Sequence, residues 1–276
     1  MHVDNKSKAT FSRIQGRYLN AKNHLLPNFL IIGESKCGTT SLFNYICENK
    51  KVKSPIKKEI HFYDYKYNKG LRYYKSHFPL CEKEQASSKI ITGEATPYYF
   101  AHPKAFYRIK ETLPNVKLIL MLRNPVDRAI SSYYNQNRIG LENIPNFNTA
   151  ISFEKERTYG TENAIFETND FNFNHKYYSY LNRGIYYKNL ERYLTLFSKE
   201  QILIIEFEEF FSDIITQYKK VIDFLDLEEQ TIVNHIYNKG KYKKIDKNTR
   251  SKLIDYYKTY NKKLYSLIGR TFNWDK

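Results

Sequence analysis

The stretch Pro27-Asn28-Phe29-Leu30-Ile31-Ile32-Gly33-Glu34-Ser35-Lys36-Cys37-Gly38-Thr39-Thr40-Ser41-Leu42 constrains the fold more than any other part of the chain. An apolar run ends in a loop with two glycines, and a hydroxyl-rich, helix-like segment follows. The pattern reads as a strand, an anion-cradling loop and a helix N-terminus, where backbone N–H groups and the helix dipole favour negative charge. Gly33 and Gly38 have the G-x-x-x-x-G spacing of a Walker A loop, but Thr39 stands where its lysine belongs. The lysine is Lys36, inside the loop. Such a loop can hold a nucleotide phosphate, while the Lys–Ser/Thr–Mg²⁺ arrangement of an NTPase is missing. An ordinary glycine turn between strand and helix is the competing reading of this segment.

A second segment narrows the choice. Lys117 to Leu122 reads as a buried strand, and Arg123-Asn124-Pro125 leads into a helix with proline well placed near its start. Arg123 then stands at the carboxyl end of that strand, and Ser131 lies two turns into the helix. A guanidinium and a hydroxyl so placed can grip a phosphate. With the first loop, they imply a ligand with phosphates at two separated points.

Further apolar strands at Phe29–Ile32, Ile90–Gly93, Lys117–Leu122 and Gln201–Phe207 alternate with helical segments. These are Thr39–Cys47, Arg72–Phe78, His102–Thr112, Pro125–Gln136, Gly184–Phe197, Phe210–Leu225 and Thr249–Ile268. The alternation predicts an α/β fold: a P-loop-like parallel sheet flanked by helices on both faces, with ligands at the carboxyl ends of the strands. Residues 27–276 are expected to form one domain. Within it, 137–182 reads as a polar, aromatic, Asn-rich loop, long enough to be a binding insertion. Residues 1–26 are polar and basic and read as a poorly ordered lead-in.

The chain of 276 residues carries a formal net charge of +16, which favours an anionic partner. A coding bias toward Lys, Asn, Tyr and Ile explains the same charge. No nucleic-acid motif is visible. Cys37, Cys47 and Cys81 lack metal-ligand spacing and suggest a reducing compartment. No metal is expected. Without an apolar N-terminal segment, neither signal peptide nor membrane span is expected, and the cytoplasm is the expected location. An anchor trimmed from the chain is the alternative.

In order along the chain, these motifs resemble the PAPS-dependent sulfotransferases, in the branch of heparan sulfate sulfotransferases and related bacterial enzymes. PAPS is 3′-phosphoadenosine 5′-phosphosulfate, and PAP is its desulfated product. Gly33 to Leu42 is similar to the family's 5′-phosphosulfate loop, and Arg123 to Tyr133 to its 3′-phosphate segment. Lys58-Glu59-Ile60-His61-Phe62-Tyr63-Asp64 resembles the K-E-x-H-F-F-D element that carries the acid–base glutamate. Lys239-Gly240-Lys241 resembles a K-G-R loop that closes on the nucleotide. Arg183 to Tyr187, Leu190 to Tyr193 and the C-terminal Leu264 to Trp274 also follow the family pattern.

The resemblance implies sulfuryl transfer from PAPS to a hydroxyl or amine of an acceptor, with a glycan, in some cases anionic, as the expected partner. Glu59 would be the base, Lys36 would neutralise charge on the leaving phosphate, and His61 would orient Glu59 or touch the acceptor. Lys36, Cys37, Gly38, Thr39, Thr40 and Ser41 would line the 5′-phosphosulfate. Arg123 and Ser131 would hold the 3′-phosphate, and Lys239, Gly240 and Lys241 would cover the nucleotide. Tyr177, Tyr178 and Tyr180 are candidate cleft residues. The chain departs from the pattern at Ala95, where heparan-type enzymes often carry lysine, and at Cys37, which replaces a glycine. The disulfide-bearing segment before the K-G-R loop is also missing. Two other function classes remain: a P-loop kinase or NTPase, and a non-catalytic protein binding an anionic polymer.

Overall fold

A computed structural model describes residues 21–81, 90–230 and 245–275. Strand β1 (Phe29–Gly33) leads through the glycine loop into α1 (Thr39–Cys47). Then come α2 (Gly70–Lys75), β2 (Gly93–Ala95), α3 (Ala105–Thr112), β3 (Lys117–Leu122) and α4 (Pro125–Arg138). Short helices follow: α5 (Phe147–Ser152), α6 (Glu154–Thr158), α7 (Thr161–Thr168) and α8 (Phe173–Tyr177). The remaining elements are α9 (Tyr186–Leu194), β4 (Ile202–Glu206), α10 (Phe207–Ser212), α11 (Ile214–Phe224) and α12 (Lys247–Ile268).

All strand pairs are parallel, in the order β2-β1-β3-β4. Successive side chains on a strand point to opposite faces. Leu30, Ile32, Leu118 and Leu120 therefore pack on one side with Ala105 and Ile109 of α3 and Leu190 of α9. Phe29, Ile31, Ile119 and Met121 pack on the other with Leu42 and Ile46 of α1 and Val221 of α11. Burial on both faces explains why β1 and β3 read as unbroken apolar runs. Gly93 is required by contact: a Cβ there would lie 2.5 Å from the Phe29 ring.

The chain passes from β1 outward to β2, crosses back to β3 and continues outward to β4. The connections after β1 and β3 thus diverge, and a crevice opens at the carboxyl ends of these two strands. The glycine loop and Arg123 both stand there. The Glu34 N–H donates to the Met121 carbonyl at 2.7 Å and holds the loop on β3. A third cluster joins Val126 and Tyr133 of α4, Phe147 of α5 and Tyr257 of α12. It fastens the segment after α4 to the sheet domain.

Several boundaries differ from the sequence reading. Segment 137–182 is largely helical rather than a loop. Its asparagines act as caps: Asn146 accepts from the Asn148 and Thr149 N–H groups, and Asn172 from that of His175. Each helix buries few residues, so no long period shows. The segment expected to be helical at Phe210–Leu225 breaks at Asp213, whose side chain caps α11 through the Thr216 N–H at 3.1 Å. β2 lies later than expected, since Ile91 forms only an isolated bridge with Val52. In the lead-in, Ala21 and His24 are buried, and His24 bridges Leu80. Residues 1–20 and the proposed cover Lys239, Gly240 and Lys241 lie outside the described residues. Among the described residues no helix is long and apolar enough to cross a membrane.

Candidate active site

Lys36 and Gly38 both take left-handed backbone angles, with φ of 71° and 83°. The chain can therefore turn sharply from β1 into α1. Glycine is needed at 38 for the angle and for space, because a Cβ would lie 2.8 Å from the Phe211 ring. The N-terminus of α1 has no side-chain cap. Its first-turn N–H groups have no intrahelical acceptors, and the dipole adds positive potential.

The structure turns Cys37 away from this anion-receptive face. Its N–H donates to the Glu34 carbonyl at 3.2 Å, its side chain is buried, and burial pushes the thiol up to about 12. Expected as a ligand contact, it instead packs in the core below the loop. Thr39 and Ser41 are also buried, while Thr40 is half-buried and its Oγ1 accepts from Lys58 Nζ at 2.6 Å.

Lys36 and Arg123 meet across the β1–β3 crevice. Arg123 donates to the Lys36 carbonyl at 3.3 Å, and Lys36 Nζ donates to Asn135 Oδ1 of α4 at 3.2 Å. The Arg123 guanidinium lies 4.4 Å from the centre of the Phe207 ring. Its Nε is buried without a hydrogen-bond partner among the described residues. A donor left that way is costly until a ligand oxygen reaches it. Ser131 is fully buried in α4.

On the other side of Lys58 stands the carboxylate–imidazole group. Glu59 Oε1 is 3.5 Å from Lys58 Nζ, and Glu59 Oε2 is 3.5 Å from His61 Nε2. His61 Nδ1 lies 2.5 Å from Oδ2 of the fully buried Asp64. Glu59 and His61 both have left-handed φ, 55° and 58°, which non-glycine residues adopt reluctantly. The surrounding packing enforces this turn. The Glu59 N–H donates to the Ala95 carbonyl at 3.2 Å, and the Phe62 N–H donates to the Tyr99 hydroxyl at 2.9 Å. Tyr99, Tyr74 and Thr96 in turn donate to the buried Glu94 carboxylate at 2.9, 2.7 and 2.7 Å. Burial raises the Glu94 pKa, and these three hydroxyls offset part of that rise.

Burial works to raise the Glu59 pKa, but the His61 hydrogen bond and the charges of Lys58, His61 and Lys176 outweigh it. The carboxyl is held at about 2. Burial alone would lower the His61 pKa, but hydrogen bonds to Asp64 and Glu59 raise it instead. Lys176, at the end of α8, places Nζ 3.4 Å from His61 Nε2. Burial brings its pKa down to about 8, against partial compensation from Asp64 and Glu59.

The sequence reading names Lys36, Glu59, His61 and Arg123 as candidates and gives no role to Lys58, Asp64, Glu94, Lys176 or Arg183, which the structure packs around them. The three-residue spacing of His61 and Asp64 was a visible signal for one of them. Lys176 and Arg183 are 115 and 149 residues from the partners they touch, so spacing could not reveal them. Of the tyrosines expected to line a cleft, Tyr177 reaches the Lys176 cluster. Tyr180 is core, with its hydroxyl on Glu142, and Tyr178 sits under Arg157.

A parallel α/β sheet with an anion-receptive loop at its switch point, beside a carboxylate–imidazole pair, defines a nucleotide-dependent group-transfer protein. The sulfotransferase domain family matches residues 26–268, and the chain belongs to this PAPS-dependent family. Among similar proteins is heparan sulfate glucosamine 3-O-sulfotransferase 3B1 of Homo sapiens, 31% identical over 96% of this chain and 69% of its own. Membrane-associated sulfotransferase kil1 of Dictyostelium discoideum is 27% identical over 90% of this chain and 66% of its own. The chain thus spans about two thirds of the length of these curated relatives. A solved sulfotransferase from Alicyclobacillus acidocaldarius superposes with a TM-score of 0.70 at 26% identity, covering 91% of this chain and 100% of that one. Family and fold are those expected from the sequence, and the donor of the family is PAPS.

Proposed function

We propose that this protein transfers a sulfuryl group from PAPS to a hydroxyl of a carbohydrate, with Glu59 as the base. The observation that carries this reading is Lys58, whose ammonium joins Thr40 of the phosphate loop at 2.6 Å to Glu59 at 3.5 Å. Donor loop and base are thereby held on two sides of one cation. The kinase, NTPase and polymer-binding readings have no support from the family match.

The residues fit the donor, since an uncapped helix N-terminus and an orphaned Arg123 Nε both await anionic oxygens. Bound PAPS supplies the sulfuryl group. Lys36, Gly38, Thr39, Thr40 and Ser41 would hold the 5′-phosphosulfate, and Arg123 with Ser131 the 3′-phosphate. Lys36 and Lys58 would bring positive charge to the oxygens that gain charge during transfer. Lys239, Gly240 and Lys241 remain proposed as the cover on sequence resemblance alone.

Glu59 accepts the acceptor hydroxyl proton, and His61, held by Asp64, orients it. A carboxyl at about 2 is a weak base, but it is ionised at every working pH. The hydroxyl becomes strongly acidic only as its oxygen bonds to sulfur, so a late proton transfer to a weak base is adequate. A carbohydrate acceptor is supported by the relatives that sulfate heparan sulfate glucosamine and by exposed rings near the base, Phe171 and Phe173. The segment 137–182, which carries these rings, is the proposed acceptor-binding region.

A cytoplasmic, reducing location belongs to the same proposal and is supported by three free cysteines. Recovery of the native protein in a membrane fraction would contradict it. For the transfer itself, the test is radiolabelled PAPS with a panel of glycans, phenols and steroids. Label in glycans supports the reading, and label confined to phenols or steroids overturns the carbohydrate acceptor.

A further inference from the structure

Lys176 is a partly buried ammonium that the transfer mechanism does not use. Four aromatic rings surround it. Nζ lies 4.9 Å from the centre of Tyr65, 5.1 Å from Tyr177, 5.5 Å from Phe171 and 5.6 Å from Tyr98. The rings favour a cation but give no strong hydrogen-bond acceptor. Among the described residues no carboxylate forms a salt bridge with it, and its one hydrogen-bond partner is His61 Nε2 at 3.4 Å. An ammonium has three N–H donors, and burying it without an anion is costly.

That one partner is conditional. Glu59 Oε2 lies 3.5 Å from the same His61 nitrogen, while Asp64 occupies the other ring nitrogen. When His61 is protonated, its Nε2–H donates to Glu59, and Nε2 can no longer accept from Lys176. The ammonium is then left beside the base with no acceptor among the described residues.

The backbone position of Lys176 is fixed independently of its ammonium. Its carbonyl accepts from Arg183 at 2.9 Å, and Arg183 is anchored on Glu34 in the phosphate loop. The end of β2 meets Glu59 through the Ala95 carbonyl, and the Ala95 side chain is a methyl buried in the core.

We propose that Lys176 binds an oxyanion on the acceptor side of the cleft, taking a sulfate or carboxylate oxygen beside the Glu59–His61 pair. The proposal rests on the sulfotransferase reading of this site. The oxygen comes either from the sulfuryl group in transit or from an acidic substituent of the acceptor sugar. The structure supports both sources through the same contact, an ammonium N–H to a charged oxygen.

The test compares wild type, Lys176→Met and Lys176→Arg, with PAP affinity as the control for intact folding. Calorimetry measures binding of a uronate-bearing oligosaccharide and of its neutral counterpart to the PAP-loaded protein. Turnover with PAPS is measured on both. If the acceptor supplies the oxygen, Lys176→Met weakens the uronate oligosaccharide by about 10- to 100-fold, the range for a lost hydrogen bond to a charged group, and spares the neutral one. If the sulfuryl group supplies it, kcat falls by a similar factor on both acceptors while binding is unchanged. Lys176→Arg keeps most of the function in either case. Wild-type binding and kcat for Lys176→Met on both acceptors would overturn the proposal. If no glycan is sulfated by wild type, the transfer reading fails. The calorimetric comparison then decides Lys176 by itself: weaker uronate binding in Lys176→Met supports it, and equal binding overturns it.

Discussion

Arg183 and Glu34 form a buried ion pair that ties the segment after α8 to the phosphate loop, across 149 residues of chain. The same guanidinium donates to Ser35 Oγ at 3.0 Å and to the Lys176 carbonyl at 2.9 Å. One side chain therefore sets the donor loop and the acceptor-side lysine relative to each other.

Arg183→Met should leave the Glu34 carboxylate buried without its ion-pair partner. Breaking a buried pair from one side costs about 3–5 kcal/mol. Thermal unfolding should show a large fall in Tm, and PAP affinity should drop with it as the loop loses its brace. A variant with wild-type Tm would show that the pair is not a structural clamp.

Arg123→Ala should weaken PAP by about 10- to 100-fold, as expected for a lost hydrogen bond to a charged group. Adenosine 5′-phosphosulfate, which lacks the 3′-phosphate, should be weakened much less. Equal losses in calorimetry would remove Arg123 from the 3′-phosphate.

The pH profile should carry a basic limb set by Lys176. It faces Glu59, His61 and Asp64 on one segment, with Arg183, which donates to the Lys176 carbonyl, and Lys66 as the neighbouring cations. Lys176 is cationic below its pKa of about 8 and loses its charge as pH rises through that value. On an anionic acceptor, kcat/KM should therefore fall above about pH 8, because it reports the free enzyme. A bound oxyanion stabilises the cation, so the limb in kcat should lie at higher pH. Lys176→Arg should abolish this limb. A limb of unchanged position in that variant would assign it to another group.

The fold and the candidates for the site are largely legible in the sequence. The apolar runs of β1 and β3 fixed two buried strands because both sheet faces are covered. Gly33, Gly38 and the hydroxyls after them marked the loop, and Pro125 marked the start of α4. Segment 137–182 was not legible as helix. Its helices are short, two of the four are capped by asparagine side chains, and each buries only one or two residues. Cys37 looked like a loop ligand because its position in the motif says nothing of side-chain direction, and the turn at Lys36 sends the thiol inward. In the sequence Lys58 stands out only by its place beside Glu59. Its bond to Thr40 depends on how the loop and the Glu59 turn meet in space.

The measurement that bears most directly on the central claim is turnover of Glu59→Gln with radiolabelled PAPS and the glycan that wild type modifies, beside PAP calorimetry on the same sample. The substitution keeps the bulk of the side chain and removes only its capacity to accept the proton. The account predicts unchanged PAP affinity and a loss of roughly 10²–10⁴-fold in kcat, the range of a general base. Wild-type kcat in Glu59→Gln would contradict it and move the base elsewhere in the cleft.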